Sequence, residues 1–413
     1  MKAGLTPAFL FHFCATMKVR YPILFVLFIT VIYSCKTTKP TQTTYALPNI
    51  DTAVVVKAVP PPVFITSTGD TLHSLDEEVA IGLTPVKPES VTLMAVGDLM
   101  TGTNFPNPSF LPMNNGDLLW KEVAPILKQA DITFGNLEGV ILDEGGEQKE
   151  CKNPKACYLF RTPTYLAYQY KAAGFDLLSL ANNHANDFGQ TGRTHTQKTL
   201  DSLGIQYAGA VETPSSMISS KRLKIALIAV APNKGTISIH QTEKLIKTVQ
   251  SLDTLHDIVM VSFHAGAEGK KNMHVTRKRE FYYGEDRGNV YEFSHQMIDA
   301  GADVLIGHGP HVPRAIEVYK NRFIAYSLGN FLTYGRFNLR GPSGEAPLVE
   351  LELAADGSFK GGQIHAFYQD YTLGPRSDDR KRAIKTIANL SKEDFPENPI
   401  EIDESGRIFY IQN

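Results

Sequence analysis

Six apolar runs of strand length constrain the fold of this chain more than any other feature of its sequence. Each run is apolar almost throughout and lacks the polar residue at every second position that a half-exposed strand carries. Continuous apolar character is typical of strands that are buried on both faces. The runs span residues 91–96, 131–134, 175–181, 224–230, 257–263 and 302–307.

Amphipathic segments of helix length lie between these runs, and several end in glycine, as helices often do. They span residues 116–130, 162–174, 189–204 and 289–301. This alternation predicts an α/β fold with a largely parallel sheet. Beyond Pro313 the pattern indicates hairpins with turns at Lys320-Asn321 and Asp356-Gly357, then a charged helix (377–392) and a final strand (406–412).

The N-terminal region has the pattern of a bacterial secretory signal. Lys18 and Arg20 precede an apolar run that ends at Ser34-Cys35. The pattern resembles a lipoprotein signal, in which Cys35 is lipidated and becomes the first residue, although Tyr33 is bulkier than the usual residue there. An uncleaved membrane anchor is the alternative. Both interpretations predict an extracytoplasmic, membrane-anchored protein.

Composition divides the rest of the chain. Residues 36–89 are rich in Thr, Pro and Val, without a helical period, and are predicted to form a tether. We therefore predict a signal and lipidation segment (1–35), the tether (36–89), a folded domain (90–375) and a C-terminal helix and strand extension (376–413). Met17 begins a conventional signal by itself, which suggests the hypothesis that translation starts there.

The four cysteines fit this organisation. Cys14 precedes Met17 and Cys35 is the predicted lipidation site, which leaves Cys151 and Cys157 as an even pair in an oxidising compartment. We predict a disulfide between them. A metal site at this pair is the weaker alternative, because no second cysteine pair or nearby histidine accompanies it.

Side chains that bind metals follow five of the six apolar runs. Each type is common in turns on its own, but here they recur in order along the chain. Since the carboxyl ends of parallel strands share one edge of a sheet, we expect these side chains to converge. The predicted metal ligands are Asp98, Asn136, Glu138, Asn183, His264, His308 and His311.

The mixture of ligand types indicates which metals fit. Asp, Glu, Asn and His together suit Mn²⁺, Zn²⁺ or Fe rather than Ca²⁺. One or two divalent ions are expected, with Asp98 or Asn183 bridging a pair. A pair would activate water and bind both the attacking and the leaving oxygen of a phosphoryl centre. His184 is the predicted catalytic residue that either donates a proton to the leaving group or stabilises charge.

Several motifs together resemble the bacterial capsule synthesis protein CapA family, related to the poly-gamma-glutamate synthesis protein PgsA. In order they are "AVGDLM", "GNLEG", "FRTP", "SLANNHANDFG", "SFHAGAE", "GADVLIGHGPHVPRAIE" and "YSLGNFL". The resemblance implies a fold similar to calcineurin-like metallophosphatases: a four-layer α/β/β/α sandwich of mixed sheets flanked by helices. It therefore replaces the largely parallel sheet.

The resemblance also assigns roles to residues. Asp98 matches the first acidic ligand, Asn183 and His184 the Asn-His motif, and Arg161 an arginine before proline that is a candidate contact for an anion. The remaining predicted ligands match the other motifs. The first phosphatase motif is Asp-x-His, whereas Leu99 and Met100 follow Asp98, so a single-metal site is conceivable.

Two other departures concern the pocket rather than the metal. The common "HWGxE" is "HAGAE" here, with Ala265 in place of the aromatic residue, and the double His of "GHHPH" is His308-Gly309. Both changes are expected to alter the substrate pocket. The segment 271–289, rich in Arg, Lys and Tyr, either lines that pocket or forms a solvated surface loop.

Two classes of function follow from these observations. The first is a metal-dependent hydrolase or transferase that acts on an envelope phosphoester, γ-glutamyl or glycan linkage. The second is a non-catalytic component of a capsule or exopolymer assembly complex that binds an anionic polymer. Nucleic acid is not an expected partner, because 41 Lys and Arg against 43 Asp and Glu leave a net charge of -2.

Overall fold

The computed structural model describes residues 89–150 and 158–411. The strands of this region are β1 (Ser90–Met100), β2 (Ile132–Leu137), β3 (Val140–Ile141), β4 (Arg161–Thr162), β5 (Leu177–Ser179), β6 (Gln206–Ala208), β7 (Ser215–Ser220), β8 (Leu223–Val230), β9 (Ile258–His264), β10 (Phe281–Tyr282), β11 (Glu285–Asp286), β12 (Val304–His308), β13 (Ile316–Tyr319), β14 (Arg322–Ala325), β15 (Asn330–Thr333), β16 (Glu345–Ala354), β17 (Phe359–Asp370), β18 (Gly374–Ser377), β19 (Ile400–Ile402) and β20 (Arg407–Tyr410). The α-helices are α1 (Ala124–Leu127), α2 (Thr164–Ala173), α3 (Gly189–Leu203), α4 (Thr242–Asp253), α5 (Val290–Asp299) and α6 (Arg382–Asp394). Two 3₁₀-helices span Met113–Gly116 and Gly341–Gly344.

Most strands form two mixed sheets. The larger sheet has the order β19-β20-β17-β16-β1-β2-β5-β6, and the smaller has the order β13-β14-β12-β9-β8-β7. The strands β1, β2, β5 and β6 pair in parallel, as do β8, β9, β12 and β14. The expectation of a largely parallel sheet was wrong at the edges, because tight hairpins such as β13–β14 and β16–β17 force antiparallel pairing.

The two sheets pack face to face, and helices cover their outer faces. In β1, Val91, Leu93 and Ala95 belong to the core between the sheets, together with residues of β8, β9 and β12. Met94 and Val96 point the other way and pack with residues of α2 and α3. On the far side, the outer face of the smaller sheet packs against α4 and α5. The predicted four-layer α/β/β/α sandwich of mixed sheets is confirmed.

The predicted strands were all found, and three of the four helices predicted between them were found. All six apolar runs contain strands, both predicted hairpin turns join antiparallel strands, and the segments 162–174, 189–204 and 289–301 contain α2, α3 and α5. The segment 116–130 forms only the short helix α1, which has a proline in its first turn. Pro125 lacks an N–H and clashes with a preceding helical turn, so residues before Ala124 form turns instead.

The C-terminal segment completes the larger sheet. β20 pairs with β17 and β19 pairs with β20, while Ile384 and Ile387 of α6 belong to the core between the sheets. The predicted signal, tether, Cys35 and the Cys151–Cys157 pair lie outside the described residues. None of the described helices has both the length and the hydrophobicity needed to cross a lipid bilayer.

A buried ion pair fixes the loop that follows β9. The guanidinium of the fully buried Arg314 donates to both carboxylate oxygens of Glu280, at 2.9 and 2.8 Å. Arg314 also donates to the carbonyl of Ala267, and the N–H of Ala267 donates to Glu280. The ion pair therefore links the two ends of the segment 267–280, Ala267 and Glu280, to Arg314, three residues after His311.

We predict that Arg314→Met lowers the free energy of unfolding by roughly 3–5 kcal/mol, because it leaves the Glu280 carboxylate buried without its charged partner. Denaturant unfolding followed by circular dichroism measures the change. Lys320→Met is the matched control, since Lys320 forms an exposed pair with Asp299 and its loss should not resolve from wild type. Equal stability of Arg314→Met and the control would contradict the prediction.

Candidate metal centre

Four polar side chains lie at the carboxyl ends of the central strands, in two pairs of residues that face each other across adjacent strands. Asp98 of β1 lies opposite Asn136 of β2, and His264 of β9 lies opposite His308 of β12. The amide nitrogen of Asn136 is 3.5 Å from Nδ1 of His264, so the two pairs meet across the sheets. All four residues are buried.

Asp98 is placed by an irregularity in β1. The pairing register shifts beside Asp98, whose N–H donates to the carbonyl of Gly329 at 2.9 Å. A Cβ atom at position 97 would lie only 2.0 Å from that carbonyl oxygen. Only glycine fits there, so the Gly97-Asp98 pair lets the Gly329 loop approach closely and directs Asp98 into the site.

His311 connects the two acidic residues of the site. Its Nδ1 lies 2.9 Å from Oδ2 of Asp98, and its Nε2 lies 3.5 Å from Oε1 of Glu138. Nδ1 of His308 lies 3.4 Å from the other oxygen of Asp98. We call Asp98, Asn136, Glu138, His264, His308 and His311 the strand-end cluster. The structure therefore brings together six of the seven predicted metal ligands.

The donor atoms of the cluster fit a divalent metal. One ligand atom from each of Glu138, His264 and His311 lies within 4.8 Å of the others. Both carboxylate oxygens of Glu138 and the Nε2 atoms of His264 and His308 are buried and lack a hydrogen-bond partner among the described residues, and Nδ1 of His308 has only its 3.4 Å contact with Asp98. Buried polar atoms are normally paired, so such a concentration at one place indicates a function for these atoms. A carboxylate with imidazoles suits Mn²⁺, Zn²⁺ or Fe.

Burial and mutual interaction perturb the pKa values of these side chains. Burial raises the pKa of Glu138 well above its ordinary value and lowers the pKa of His264 well below it. Burial opposes ionisation of Asp98 as well, but hydrogen bonds and charge from His308 and His311 hold its pKa well below the usual range. Burial would lower the pKa of His311, yet the carboxylates of Glu138 and Asp98 raise it to about 10. In the metal-free protein, His311 is therefore the cation between two carboxyl groups.

His184 lies at the edge of the cluster with a defined orientation. Its Nδ1 is 2.7 Å from Oδ2 of Asp187, and its Nε2 is 3.9 Å from Oε1 of Glu138. The same Asp187 oxygen accepts from the N–H of Phe160 at 2.8 Å, which holds the carboxylate in place. A carboxylate that accepts from Nδ1–H leaves Nε2 as the nitrogen that exchanges a proton.

Two phenylalanines line the site between the histidines. The ring of Phe160 lies 4.2 Å from the ring of His184 and stacks on Phe337 at 5.0 Å. Phe337 in turn makes an edge contact with His311 at 5.8 Å. These rings form an aromatic wall, although the family's tryptophan is replaced by Ala265.

Two predicted site residues have no described contact with the cluster. The Arg161 side chain donates to Asn104 and to the carbonyl of Gly145, and its guanidinium lies over the rings of Phe105 and Phe188. The side-chain oxygen of Asn183 is buried without a hydrogen-bond partner in the described region, but no described contact joins it to the cluster. Their roles stay predictions.

Three residues of the site were not among the predicted site residues. Asn182, rather than Asn183, donates to the side chain of Asn136 at 3.2 Å and to the carbonyl of Leu137 at 2.8 Å. Asp187 holds His184, and its position three residues later in "NNHAND" was an available indication. Arg287 lies in the segment 271–289, which the sequence suggested as a pocket lining, but nothing there distinguished it from the other arginines.

Comparison with known proteins is consistent with this geometry. The model of the bacterial capsule synthesis protein family PGA_cap matches residues 92–334. The capsule biosynthesis protein CapA of Bacillus anthracis is 29% identical over 265 residues, which cover 59% of this chain and 60% of that protein. The PGA biosynthesis protein CapA of Bacillus subtilis is 28% identical over 317 residues, covering 72% of this chain and 77% of that protein.

The chain thus spans three fifths of the length of the Bacillus anthracis relative. Among solved structures, a 5'-nucleotidase precursor from Thermus thermophilus aligns with a TM-score of 0.37 at 10% identity, covering 74% of this chain and 59% of that one.

We predict that metal binding releases protons and tightens as pH rises. With a pKa of about 10, His311 is protonated at neutral pH and has to lose its proton before it binds a metal. The apparent association constant should rise by about tenfold per pH unit for each proton released. Titration calorimetry in two buffers of different ionisation enthalpy counts these protons.

His311→Ala should release at least one proton fewer than wild type at the same pH. Metal binding to wild type that releases no proton and has the same affinity from pH 6 to 9 would contradict the prediction.

Proposed function

Because this chain belongs to the bacterial capsule synthesis protein family PGA_cap, we propose that it is a divalent-metal-dependent hydrolase of capsule or exopolymer biosynthesis. The observation that carries this proposal is the set of buried ligand atoms in the strand-end cluster that lack hydrogen-bond partners. The proposed substrate is a phosphoester or γ-glutamyl linkage of an anionic envelope polymer. The names of the two Bacillus relatives, a capsule and a PGA biosynthesis protein, support this substrate class.

The residues of the strand-end cluster are the candidate ligands of the metal. Glu138, His264 and His311 would provide ligands of one ion, and Asp98, Asn136 and His308, which lie next to them, are the remaining candidate ligands of the cluster. When bound, Mn²⁺, Zn²⁺ or Fe supplies Lewis acidity, which makes water a better nucleophile and offsets developing negative charge. Asn183 remains the candidate ligand for a second ion.

His184 is the proposed proton donor. Asp187 accepts the Nδ1–H and thereby keeps Nε2 directed towards the cluster, where it holds a proton for the leaving oxygen or nitrogen. Phe160 packs against the imidazole and limits its rotation, and it also shields this edge of the site from water. Asp187 acts through His184 and is a positioning residue.

The experiment that tests the function measures metal content and hydrolysis on the same samples. Wild type purified without chelator is expected to carry one or two divalent ions per chain, whereas Asp98→Ala and His308→Ala should carry fewer and retain the fold. His365→Ala is the control, because His365 pairs with Glu350 away from the cluster. Wild-type metal content in both cluster variants would disprove the site.

Hydrolysis is then assayed with phosphodiester, γ-glutamyl and glycan substrates. We expect His184→Gln to lower kcat by about 10²–10⁴-fold, the usual contribution of a general acid, with unchanged metal content. Asp187→Asn should lower kcat and also change its pH profile, because it removes the carboxylate that fixes the imidazole. Bound metal without hydrolysis of any substrate would instead favour metal-dependent polymer binding in an assembly complex.

We also propose that the chain is an extracytoplasmic lipoprotein tethered to the membrane through Cys35, on the basis of its N-terminal sequence. Full-length protein expressed in a bacterium should carry lipid on the N-terminal cysteine, detectable by mass spectrometry of the tryptic peptides. Cys35→Ser is expected to lack the lipid and to leave the membrane fraction. A lipid that persists in Cys35→Ser would contradict the proposal.

A further inference from the structure

A buried arginine outside the predicted site lies against the strand-end cluster. Arg287 is 1% exposed, and its backbone is fixed by hydrogen bonds from its N–H to the carbonyl of Glu280 and from the N–H of Gly266 to its carbonyl, both 2.9 Å. Gly266 follows His264 by two residues. The backbone of Arg287 is therefore held to the loop that extends from the end of β9.

The guanidinium is only partly satisfied. Its Nε donates to the carbonyl of Gly266 at 3.1 Å, and one terminal nitrogen contacts Glu285 at 3.0 Å and Glu268 at 3.4 Å. The other terminal nitrogen is buried and has no hydrogen-bond partner in the described part of the chain. A buried charged donor without a partner is unfavourable for folding, so its retention points to a ligand.

This second nitrogen lies against the turn between His308, the last residue of β12, and His311. A Cβ atom built on Gly309 would lie 3.1 Å from it and less than 3.0 Å from both the N and O atoms of Ala265. Gly309 also has a φ of +111°, a conformation that disfavours other residues. The absence of a side chain at position 309 therefore lets the guanidinium lie close to the backbone between His308 and His311.

We infer that Arg287 binds an oxyanion group of the substrate, phosphate or carboxylate, through its unpaired terminal N–H beside the strand-end cluster. Guanidinium is suited to this role because its planar donors match the geometry of both oxyanions. The inference rests on the proposed function, since it assigns the anionic substrate of that same site.

Glu285 provides an internal competitor. One oxygen of this half-exposed carboxylate accepts from a terminal nitrogen of Arg287 and partly neutralises the charge of the guanidinium. The other carboxylate oxygen accepts from Asn233 at 2.6 Å. Replacing Glu285 by glutamine removes the negative charge and leaves one oxygen to accept from Arg287, while the new amide nitrogen can donate to the unpaired Oδ1 of Asn233 once the Asn233 amide turns over. The Arg287 guanidinium would then attract an oxyanion more strongly.

The experiment titrates inorganic phosphate and glutarate into metal-loaded and chelator-treated full-length protein by calorimetry. Arg287→Lys should weaken the binding of at least one of the two anions by about tenfold or more, because lysine keeps the charge but loses the forked donors. The anion that weakens identifies phosphate or carboxylate as the ligand. Arg279→Lys is the matched control, since Arg279 is exposed on the same segment and pairs with Asp286.

A second variant makes the test independent of the stability of Arg287→Lys. Glu285→Gln should bind the same anion several-fold more tightly in the wild-type background, and not in the Arg287→Lys background. Metal content and melting temperature are measured on every sample. The inference is overturned if folded Arg287→Lys binds both anions as wild type does, if Arg279→Lys loses as much affinity, or if Glu285→Gln binds no more tightly than wild type.

These outcomes separate the inference from the proposed function. If the wild-type protein holds no metal, the proposed metal-dependent hydrolysis is contradicted. Anion binding that depends on Arg287 in the chelator-treated sample would still support the inference. Conversely, a metal-loaded protein whose anion affinity does not depend on Arg287 keeps the metal centre and overturns the inference.

Discussion

The burial of the Asp98 carboxylate is the constraint on which the site depends. A carboxylate that is removed from water has to gain compensating charge and hydrogen bonds, and here these come from His308, His311 and Asn136. The three partners belong to two chain segments, Asn136 to β2 and the two histidines to the end of β12 and the turn after it, and the fold brings them to Asp98 because the carboxyl ends of β1, β2 and β12 meet. The close approach of Gly329 to Gly97 is what turns the carboxylate inward.

Much of the fold could be predicted because burial leaves a pattern in the sequence. Runs that are apolar throughout indicated the central strands, and the ligand-like residues after them indicated which ends converge. The hairpin patterns after Pro313 also indicated antiparallel strands at the edges, but they could not show which central strand each hairpin joins, such as the antiparallel pairing of β16 with β1. The helix predicted at 116–130 reduced to α1, because Pro125 prevents a preceding turn of helix.

Two features of the sequence predicted site residues: the type of the residue and its position directly after a strand. Those two features identified six cluster residues and His184. They could not decide between Asn182 and Asn183, since adjacent residues in a turn point in different directions, and only the structure shows that Asn182 contacts Asn136. The arginines also could not be assigned from the sequence. Arg161, which was chosen from its motif, packs on two phenylalanines, whereas the buried Arg287 resembles its exposed neighbours in sequence.

With the roles proposed for His184 and Arg287, the cluster would suit a substrate that carries its charge next to the bond to be broken. His184 meets the cluster at Glu138 through a nitrogen that exchanges protons, whereas Arg287 meets it at Gly309 through a donor that cannot lose its proton. A fixed positive charge suits an anion that stays bound, and a titratable nitrogen suits a leaving group that changes its protonation. A phosphoester presents both groups at one centre. A γ-glutamyl linkage presents a carboxylate close to the amide, so a site with the roles proposed for His184 and Arg287 would accept either linkage, and the oxyanion that Arg287 binds would distinguish them.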